Sequence, residues 1–176
     1  MVMMSEGAGV RAVVRALSPD DWRLWRELRQ AALSEAPQAF ASTLADWSGA
    51  NDTEDRWRAR LAAVPFNAIA LIDESPVGMV SSTAPAERSC ELLSLWVSPQ
   101  SRGTGVGDLL VSAVLHWALA QGADHLTLEV RRLNTAAIRL YERNGFREDG
   151  PATSGRCGAE ELSMRLSIPR PGGDLP

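Results

Sequence analysis

One segment of this 176-residue chain constrains its fold more than any other: a glycine-rich turn, residues 100–107 (QSRGTGVG), which joins two apolar segments. The segment before it, Cys90–Val97 (CELLSLWV), has the composition of a buried strand. The segment after it, Gly105–Gln121, has apolar residues at helical spacing, and Gly122 is a stop signal. Glycines let the backbone approach a ligand, and the first N–H groups of a helix lack intrahelical partners. The turn therefore predicts a site for phosphate oxygens, most naturally those of a pyrophosphate. The alternative is a turn that only begins the helix.

Several other chemistries do not fit the sequence. A dinucleotide-binding fingerprint needs GxGxxG directly after the first strand, whereas this turn is GxGxG and lies deep in the chain. All 18 basic residues are arginine, which excludes both a P-loop lysine and a lysine Schiff base. His116 and His125 have no acidic partner at metal-ligand spacing, so we expect no metal cofactor.

Composition limits the broad class of the protein. With 45% hydrophobic residues, the chain is long enough for one sizeable core, so we expect a single domain over residues 10–168, with flexible tails at 1–9 and 169–176. The net charge of −4 comes without a basic stripe, which argues against a nucleic-acid partner. The chain has no segment typical of a membrane span or a signal peptide, and we expect a cytoplasmic protein without a membrane partner. Cys90 and Cys157 are expected to be reduced and not to take part in the chemistry.

The rest of the chain predicts alternating strands and helices. Strand patterns occur at Val10–Leu17, Asn67–Asp73, Val77–Ser82, Cys90–Val97 and Leu126–Val130, around Phe146, and at Leu162–Ile168. Helix patterns run from Ser18 to Leu33, from Asp52 toward Ala63, from Gly105 to Gln121 and from Thr135 to Arg143. The order β-α-α-β-β-β-α-β-α-β-β mixes consecutive strands with strand–helix–strand units. It predicts an α/β (α+β) fold, with a mixed central sheet of about seven strands flanked by about four helices.

The glycine turn contains the signature Q/R-x-x-G-x-G/A as Gln100-x-x-Gly103-x-Gly105, and in this it resembles the GNAT superfamily of acetyl-CoA-dependent N-acetyltransferases. The order of elements from Val10 to Ile168 resembles the GNAT acyl-CoA N-acyltransferase fold. The resemblance implies that the preceding strand is bulged and that its backbone pairs with the pantetheine arm of acetyl-CoA. The strand residues implied to contact the cofactor are Leu95, Trp96 and Val97. The residues whose amides are implied to bind the pyrophosphate are Arg102, Gly103, Thr104, Gly105, Val106 and Gly107.

A second motif, residues 129–146 (EVRRLNTAAIRLYERNGF), resembles the family run E-V-x-x-x-N-x-x-A-x-x-L-Y-x-x-x-G-F, especially that of the ribosomal-protein alanine N-acetyltransferases. Splayed parallel strands after Val97 and at Val130 would open a slot for the thioester, and a helix from Asn134 would bring Tyr141 beside it. A phenol there can protonate the departing CoA thiolate, so Tyr141 is the predicted general acid. The alternative is a tyrosine that only packs at a helix end. Asn134 can cap the helix, and the resemblance implies that it also contacts CoA.

An ammonium substrate must lose a proton before it attacks, so a carboxylate is expected near the slot, acting directly or through water. The resemblance offers two candidates. Glu129 has the position of the base in the alanine N-acetyltransferases, and Glu91 has the position of the base in histone-type members. Period-two alternation predicts that Glu91 shares a face with Leu93, Leu95 and Val97. We favour Glu129 because its local match is denser, and Glu91 remains the alternative.

The predicted reaction is direct attack of a neutral amine on the acetyl-CoA thioester, without a covalent enzyme intermediate. By resemblance, the first two helices (Trp22–Trp57) and the loop between the last strands (Asp149–Glu160) shape the acceptor site. The acceptor itself is left open among a protein N-terminus, a small amine and an antibiotic, and a homodimer is compatible with the sequence. Two rivals remain: a non-catalytic acyl-CoA-binding module that senses the cofactor, and an enzyme for a larger donor such as succinyl-CoA, which Arg131 would favour.

Overall fold

The structure is a computed structural model that describes residues 3–7, 10–151 and 161–169. Eight β-strands form one sheet in the order β1-β2-β3-β4-β5-β6-β8-β7. Neighbouring strands are antiparallel, except for β5 and β6, which are parallel. The strands are β1 (Met3–Gly7), β2 (Val10–Ala16), β3 (Phe66–Ile72), β4 (Ser75–Ser82), β5 (Ser89–Val97), β6 (His125–Arg131), β7 (Arg147–Pro151) and β8 (Glu161–Ser167).

Four α-helices lie in the described part of the chain, two on each face of the sheet: α1 (Trp22–Glu35), α2 (Glu54–Ala63), α3 (Val106–Ala120) and α4 (Thr135–Arg143). Trp25 of α1 and Trp57 of α2 pack with Met79 and Trp96 of the sheet in the smaller apolar cluster. The larger cluster packs α3 and α4 against the opposite face. No helix among the described residues is long and apolar enough to cross a bilayer.

The predicted mixed sheet flanked by helices is confirmed, with one strand more than expected. The additional strand is β1, which pairs with β2 from Met3↔Val14 to Gly7↔Val10. The predicted flexible tail is therefore wrong for residues 3–7. The predicted α4 has the bounds Thr135–Arg143 in the structure. The C-terminal tail from residue 170 onward and most of the predicted acceptor loop, residues 152–160, lie outside the described residues.

Strand β5 contains a β-bulge opposite β4. Met79 pairs with Trp96 and Ser81 pairs with Leu93, so one residue of β4 faces two residues of β5 between these pairs. The first of the two, Ser94, has φ of +55°, in the left-handed region that side chains other than glycine rarely adopt. The bulged strand that the family resemblance implies is therefore present.

The bulge changes which face of the sheet each β5 side chain occupies. We predicted that Glu91, Leu93, Leu95 and Val97 share a face, and this is wrong. Residues before the bulge are one step out of phase with those after it, so Glu91 and Leu93 lie on the face of Trp96, toward α1 and α2. Leu95 and Val97 instead pack against the apolar cluster on the α3 and α4 side.

A gap opens in the sheet where β5 and β6 separate. The two strands pair at Ser89↔His125, Cys90↔Leu126 and Glu91↔Thr127, and no further pair between them occurs in the described strands. Beyond this point, β5 continues along β4 to Val97, whereas β6 continues along β8 to Arg131. The predicted slot between splayed parallel strands is present, and it begins earlier along β5 than the sequence indicated.

Candidate active site

A cavity of about 370 Å³ lies at this gap and is lined by residues from both faces of the sheet. Its wall on the α3 and α4 side includes Leu92, Val130, Asn134, Ala137 and Tyr141. Its wall on the other side includes Arg29, Phe40, Trp47, Arg60, Glu91, Leu93, Glu129 and Glu161. The cavity therefore connects the two faces through the sheet, and it brings the predicted acid and both predicted bases to one space.

Tyr141 lies on α4 with only 7% of its surface exposed. Its ring packs edge-on against Phe146, with 5.7 Å between the ring centroids. Burial raises the pKa of the Tyr141 phenol above its usual value near 10, so the hydroxyl stays protonated at neutral pH. The side chain thus borders the cavity in the form that can donate a proton.

A close contact between α3 and α4 positions this tyrosine relative to the glycine turn. A Cβ on Gly107 would lie 3.0 Å from Cδ2 of Leu140, the residue before Tyr141, so glycine allows the two helices to approach. Asp108 strengthens the contact, because its carboxylate accepts hydrogen bonds from Arg143 Nε at 2.7 Å and from Asn144 Nδ2 at 2.8 Å.

The glycine turn has two glycines in the left-handed backbone region. Gly103 has φ of +77° and Gly105 has φ of +89°, and a Cβ on either would meet no atom within 4 Å. Glycine is therefore needed here for the backbone conformation, and the space beside it is open. Gly105 is the N-cap of α3 and has no side-chain cap, and the first helical hydrogen bond is from Leu109 N to Gly105 O at 3.0 Å. The first-turn N–H groups of a helix have no intrahelical partners, and they are the groups that a phosphate would use.

Asn134 caps α4, as the sequence predicted. Its Oδ1 accepts a hydrogen bond of 3.2 Å from Ala137 N, and its own N–H donates to Arg131 O at 2.9 Å. The side chain also lines the cavity, which keeps the predicted contact with CoA compatible with the cap.

Glu91 and Glu129 lie on the same face of neighbouring strands. Glu91 is opposite Thr127 in the parallel pair, and Glu129 is two residues further along β6, so both side chains are directed to the α1 and α2 side. Both are half-buried and line the cavity. Because Tyr141 belongs to the other face, the two candidate bases and the predicted acid border the gap from opposite sides.

Glu35, at the end of α1, is a residue that the sequence analysis did not identify. Its Oε2 accepts hydrogen bonds from Arg102 Nη2 at 2.7 Å and from Trp96 Nε1 at 3.0 Å. These two bonds hold the pKa of Glu35 below its usual value. Arg102 also donates through Nε to Val97 O at 3.1 Å. The glycine turn is therefore fastened to β5 and to a helix of the opposite face.

Arg29 and Arg60 were also missed, although both line the cavity. Arg29 is 9% exposed, its guanidinium lies 4.5 Å from the Phe40 ring centroid, and its Nη1 has no hydrogen-bond partner. The signal was its position four residues after Trp25, within the apolar stripe of α1. Arg60 is half-buried beside Leu61 of α2.

The cysteine and histidine side chains contribute no reactive group to the described part of the site. Cys90 is buried in the core, and burial raises the pKa of its thiol, which disfavours a thiolate nucleophile. Cys157 lies outside the described residues. Nδ1 of His116 is 2.7 Å from the Ser112 carbonyl oxygen, and His125 is outside the cavity lining. Over residues 3–7, 10–151 and 161–169, no cluster of three potential metal ligands occurs.

Comparison with known proteins agrees with this geometry. A family model described as the acetyltransferase (GNAT) family matches residues 22–146, so the chain belongs to this family. Streptothricin acetyltransferase from Streptomyces lavendulae is 36% identical over 78 residues, which cover 43% of this chain and 41% of that protein. The chain thus spans less than half the length of this curated relative.

Solved structures share the fold. The ribosomal-protein-S18-alanine N-acetyltransferase from Escherichia coli superimposes with a TM-score of 0.64 at 23% identity, covering 93% of this chain and 98% of the other. The PaiA N-acetyltransferase from Thermoplasma acidophilum, solved in complex with coenzyme A, has a TM-score of 0.70 at 18% identity and covers 89% of this chain and 98% of the other.

Proposed function

We propose that this chain is an N-acetyltransferase that transfers the acetyl group of acetyl-CoA to a primary amine by direct attack. The observation that carries the proposal is the gap between β5 and β6, with Tyr141 on one side and Glu91 and Glu129 on the other. Such a gap lets an amine and a thioester meet from opposite faces of the sheet. Membership of the GNAT family supports the same reaction class.

The residues on the α3 side fit acetyl-CoA. In this proposal the first-turn amides of α3 bind the pyrophosphate, since the open space at Gly103 and Gly105 leaves room for its oxygens. The edge of β5 from Leu95 to Val97, where β6 has moved away, pairs with the pantetheine arm. Asn134 borders the same side of the gap. Acetyl-CoA supplies a carbonyl open to attack and a thiolate leaving group.

The side chains at the gap move the two protons of the reaction. Glu129, or in its place Glu91, removes a proton from the acceptor ammonium, directly or through water, so that a neutral amine attacks the thioester carbon. The new N–C bond forms as the C–S bond breaks. Tyr141 donates its phenolic proton, or a strong hydrogen bond, to the sulfur that carries away the electron pair. The nitrogen then releases its second proton, which re-forms the phenol of Tyr141 directly or through water.

The test is an acetyl-CoA consumption assay that detects free CoA thiol, across a panel of N-terminal peptides, polyamines, aminoglycosides and amino acids. Acetyl transfer confirmed by mass spectrometry would support the proposal. Saturable acetyl-CoA binding without turnover on any amine would indicate a non-catalytic sensing module. Faster transfer from succinyl-CoA than from acetyl-CoA would indicate a larger acyl donor.

A further inference from the structure

On the acceptor side of the cavity, two arginines from α1 and α2 have no acidic partner among the described residues, and neither does Arg131 of β6. Arg29 Nη1 is buried and has no hydrogen-bond partner. Arg60 donates to neutral groups only, to Asn67 Oδ1 at 3.2 Å and to Ser81 Oγ at 3.3 Å. By contrast, Arg26 on the same helix as Arg29 forms an ion pair with Asp52. Arg29 and Arg60 therefore lack the direct counter-charge that Arg26 has.

This arrangement is electrostatically unfavourable in the free protein. Burial, and after it the charge of Arg60, lower the pKa of Arg29 to about 10. Burial likewise lowers the pKa of Arg60 to about 10. A buried charge is normally retained only when it is paired, so an anionic group entering the cavity would gain the interaction that the chain itself does not provide.

Aromatic rings hold both guanidinium groups in place. Arg29 stacks over Phe40, with 4.5 Å between Cζ and the ring centroid, and Arg60 lies over Trp25 at 5.3 Å. Arg29 lines the cavity and has an N–H group, at Nη1, without a hydrogen-bond partner. A planar guanidinium with a fixed orientation suits two-point binding of a carboxylate.

The same side of the cavity also has negative charge. Glu161 is 7% exposed, lines the cavity, and has a buried Oε2 without a hydrogen-bond partner. Its Cα is paired with that of Arg131, which places its side chain on the face of Glu129. One cavity wall thus offers a cation-binding group and an anion-binding group to the same small molecule.

We infer that the acceptor is a small zwitterion, an amino acid or a close analogue, whose carboxylate binds Arg29 while its amino group lies toward the carboxylates of β6 and β8. This inference rests on the proposed function and specifies its substrate class. Arg60 adds positive charge behind Arg29. The carboxylate is assigned to the acceptor because Arg29 and Arg60 come from α1 and α2, which pack on the face of the sheet opposite α3.

The experiment compares amino acids with their carboxamides as acceptors, using wild type, Arg29→Gln and Arg29→Lys. Wild type should prefer the amino acid by roughly 10- to 100-fold in kcat/KM, since a hydrogen bond to a charged group is lost in the amide. The amino group of the carboxamide has a lower pKa than that of the amino acid, so more of it is neutral and able to attack. Amine basicity alone would therefore favour the carboxamide and cannot explain a preference for the amino acid. Arg29→Gln should abolish the preference through KM, and Arg29→Lys should restore part of it. Arg23→Gln, on an exposed position of α1, is the matched control.

A second measurement, of ligand binding, tests the role of Arg29 without enzymatic turnover. With CoA present, N-acetylglycine should raise the melting temperature of wild type but not of Arg29→Gln, and N-acetylglycinamide should raise neither. The inference fails if amides or purely cationic amines are acetylated as well as amino acids, or if no carboxylate ligand is turned over or raises the melting temperature. If the use of succinyl-CoA depends on Arg29, the inference is also overturned, because Arg29 would then bind the carboxylate of the acyl donor and not that of the acceptor. Acetyl-CoA binding, measured separately by calorimetry, tests the proposed function itself.

Discussion

Glu35 accepts a 2.7 Å hydrogen bond from Arg102, and this bond joins the last residue of α1 to the glycine turn before α3. The two residues lie on elements that pack on opposite faces of the sheet. Both side chains are partly exposed, at 36% and 50%, so their ion pair contributes little to global stability, about 0–1 kcal/mol. Its effect is local, because it restrains the turn that would hold the pyrophosphate.

We therefore expect Glu35→Gln to weaken acetyl-CoA binding by roughly two- to fivefold, the scale of a partly exposed ion pair, without lowering the melting temperature appreciably. Both donors bond to the same oxygen of Glu35, and the amide oxygen of glutamine can still accept from both, so the change removes the negative charge and keeps the hydrogen bonds. Calorimetric titration with acetyl-CoA is the measurement. Unchanged affinity would show that the turn keeps its shape without this ion pair.

Gly105→Asp should abolish the stabilisation of the protein by acetyl-CoA. A ligand that binds only the native state raises the melting temperature, and the aspartate places a negative charge at the proposed phosphate site. The φ of +89° also strains any side chain. Gly122→Asp is the control, because Gly122 has φ of +77°, open space and a position at the other end of α3. If folded Gly105→Asp keeps the full ligand-induced shift, the phosphate assignment is wrong.

Tyr141→Phe keeps the packing against Phe146 and removes the hydroxyl. We expect kcat to fall by roughly 10²- to 10⁴-fold, the range for a positioned acid, while the Kd of acetyl-CoA stays close to that of wild type. Because burial raises the pKa of Tyr141, the phenol remains protonated as pH rises, so the kcat of wild type should show no descending limb up to about pH 9.5. Wild-type kcat in Tyr141→Phe would refute the acid role.

Glu129→Gln and Glu91→Gln distinguish the two candidate bases. A base must be ionised to accept a proton, so replacing the true base should lower kcat/KM and flatten its rise with pH. Replacing a structural carboxylate should leave the shape of the profile unchanged. Glu142→Gln, an exposed position on α4, serves as the control. Intact profiles in both variants would assign deprotonation to water or to the free amine in solution.

Arg29→Met tests whether the buried arginine has a structural role. Replacing an unpaired buried charge with an apolar side chain of similar length should leave the free energy of unfolding unchanged or raise it by about 1 kcal/mol. Arg26→Met should instead be destabilising, since it leaves Asp52 without the arginine that donates to it at 2.6 Å. Urea unfolding of both variants provides the comparison. A large loss of stability in Arg29→Met would indicate a structural arginine.

Local signals predicted much of this molecule from its sequence. Asn134 marks the start of α4 because its side chain caps the first turn, and Gly105 marks the start of α3 because the chain there needs positive φ. These features depend on residues close together in sequence. The element order followed from such signals, and with it the mixed sheet.

The features that the sequence did not predict depend on contacts between distant segments. The bulge at Ser94 exists only relative to β4, so alternation counted along β5 alone placed Glu91 on the wrong face. Arg29 shares a helical stripe with Trp25, and only the packed structure shows that this part of the stripe borders a cavity. The pairing of β1 likewise depends on its partner strand.

The extra residue in β5 also affects how functional positions transfer between homologous sequences. Consider a relative whose strand has no bulge. The residue at the position of Glu91 would then lie on the opposite face of the sheet from Glu91 in this protein, even if that residue were also glutamate. A glutamate at the same sequence spacing would then lie on the face of α3 and α4, where the cofactor is proposed to bind. Structural alignments that match the bulge residue, Ser94 with its positive φ, should therefore identify equivalent carboxylates. Alignments that match only the glycine signature should not.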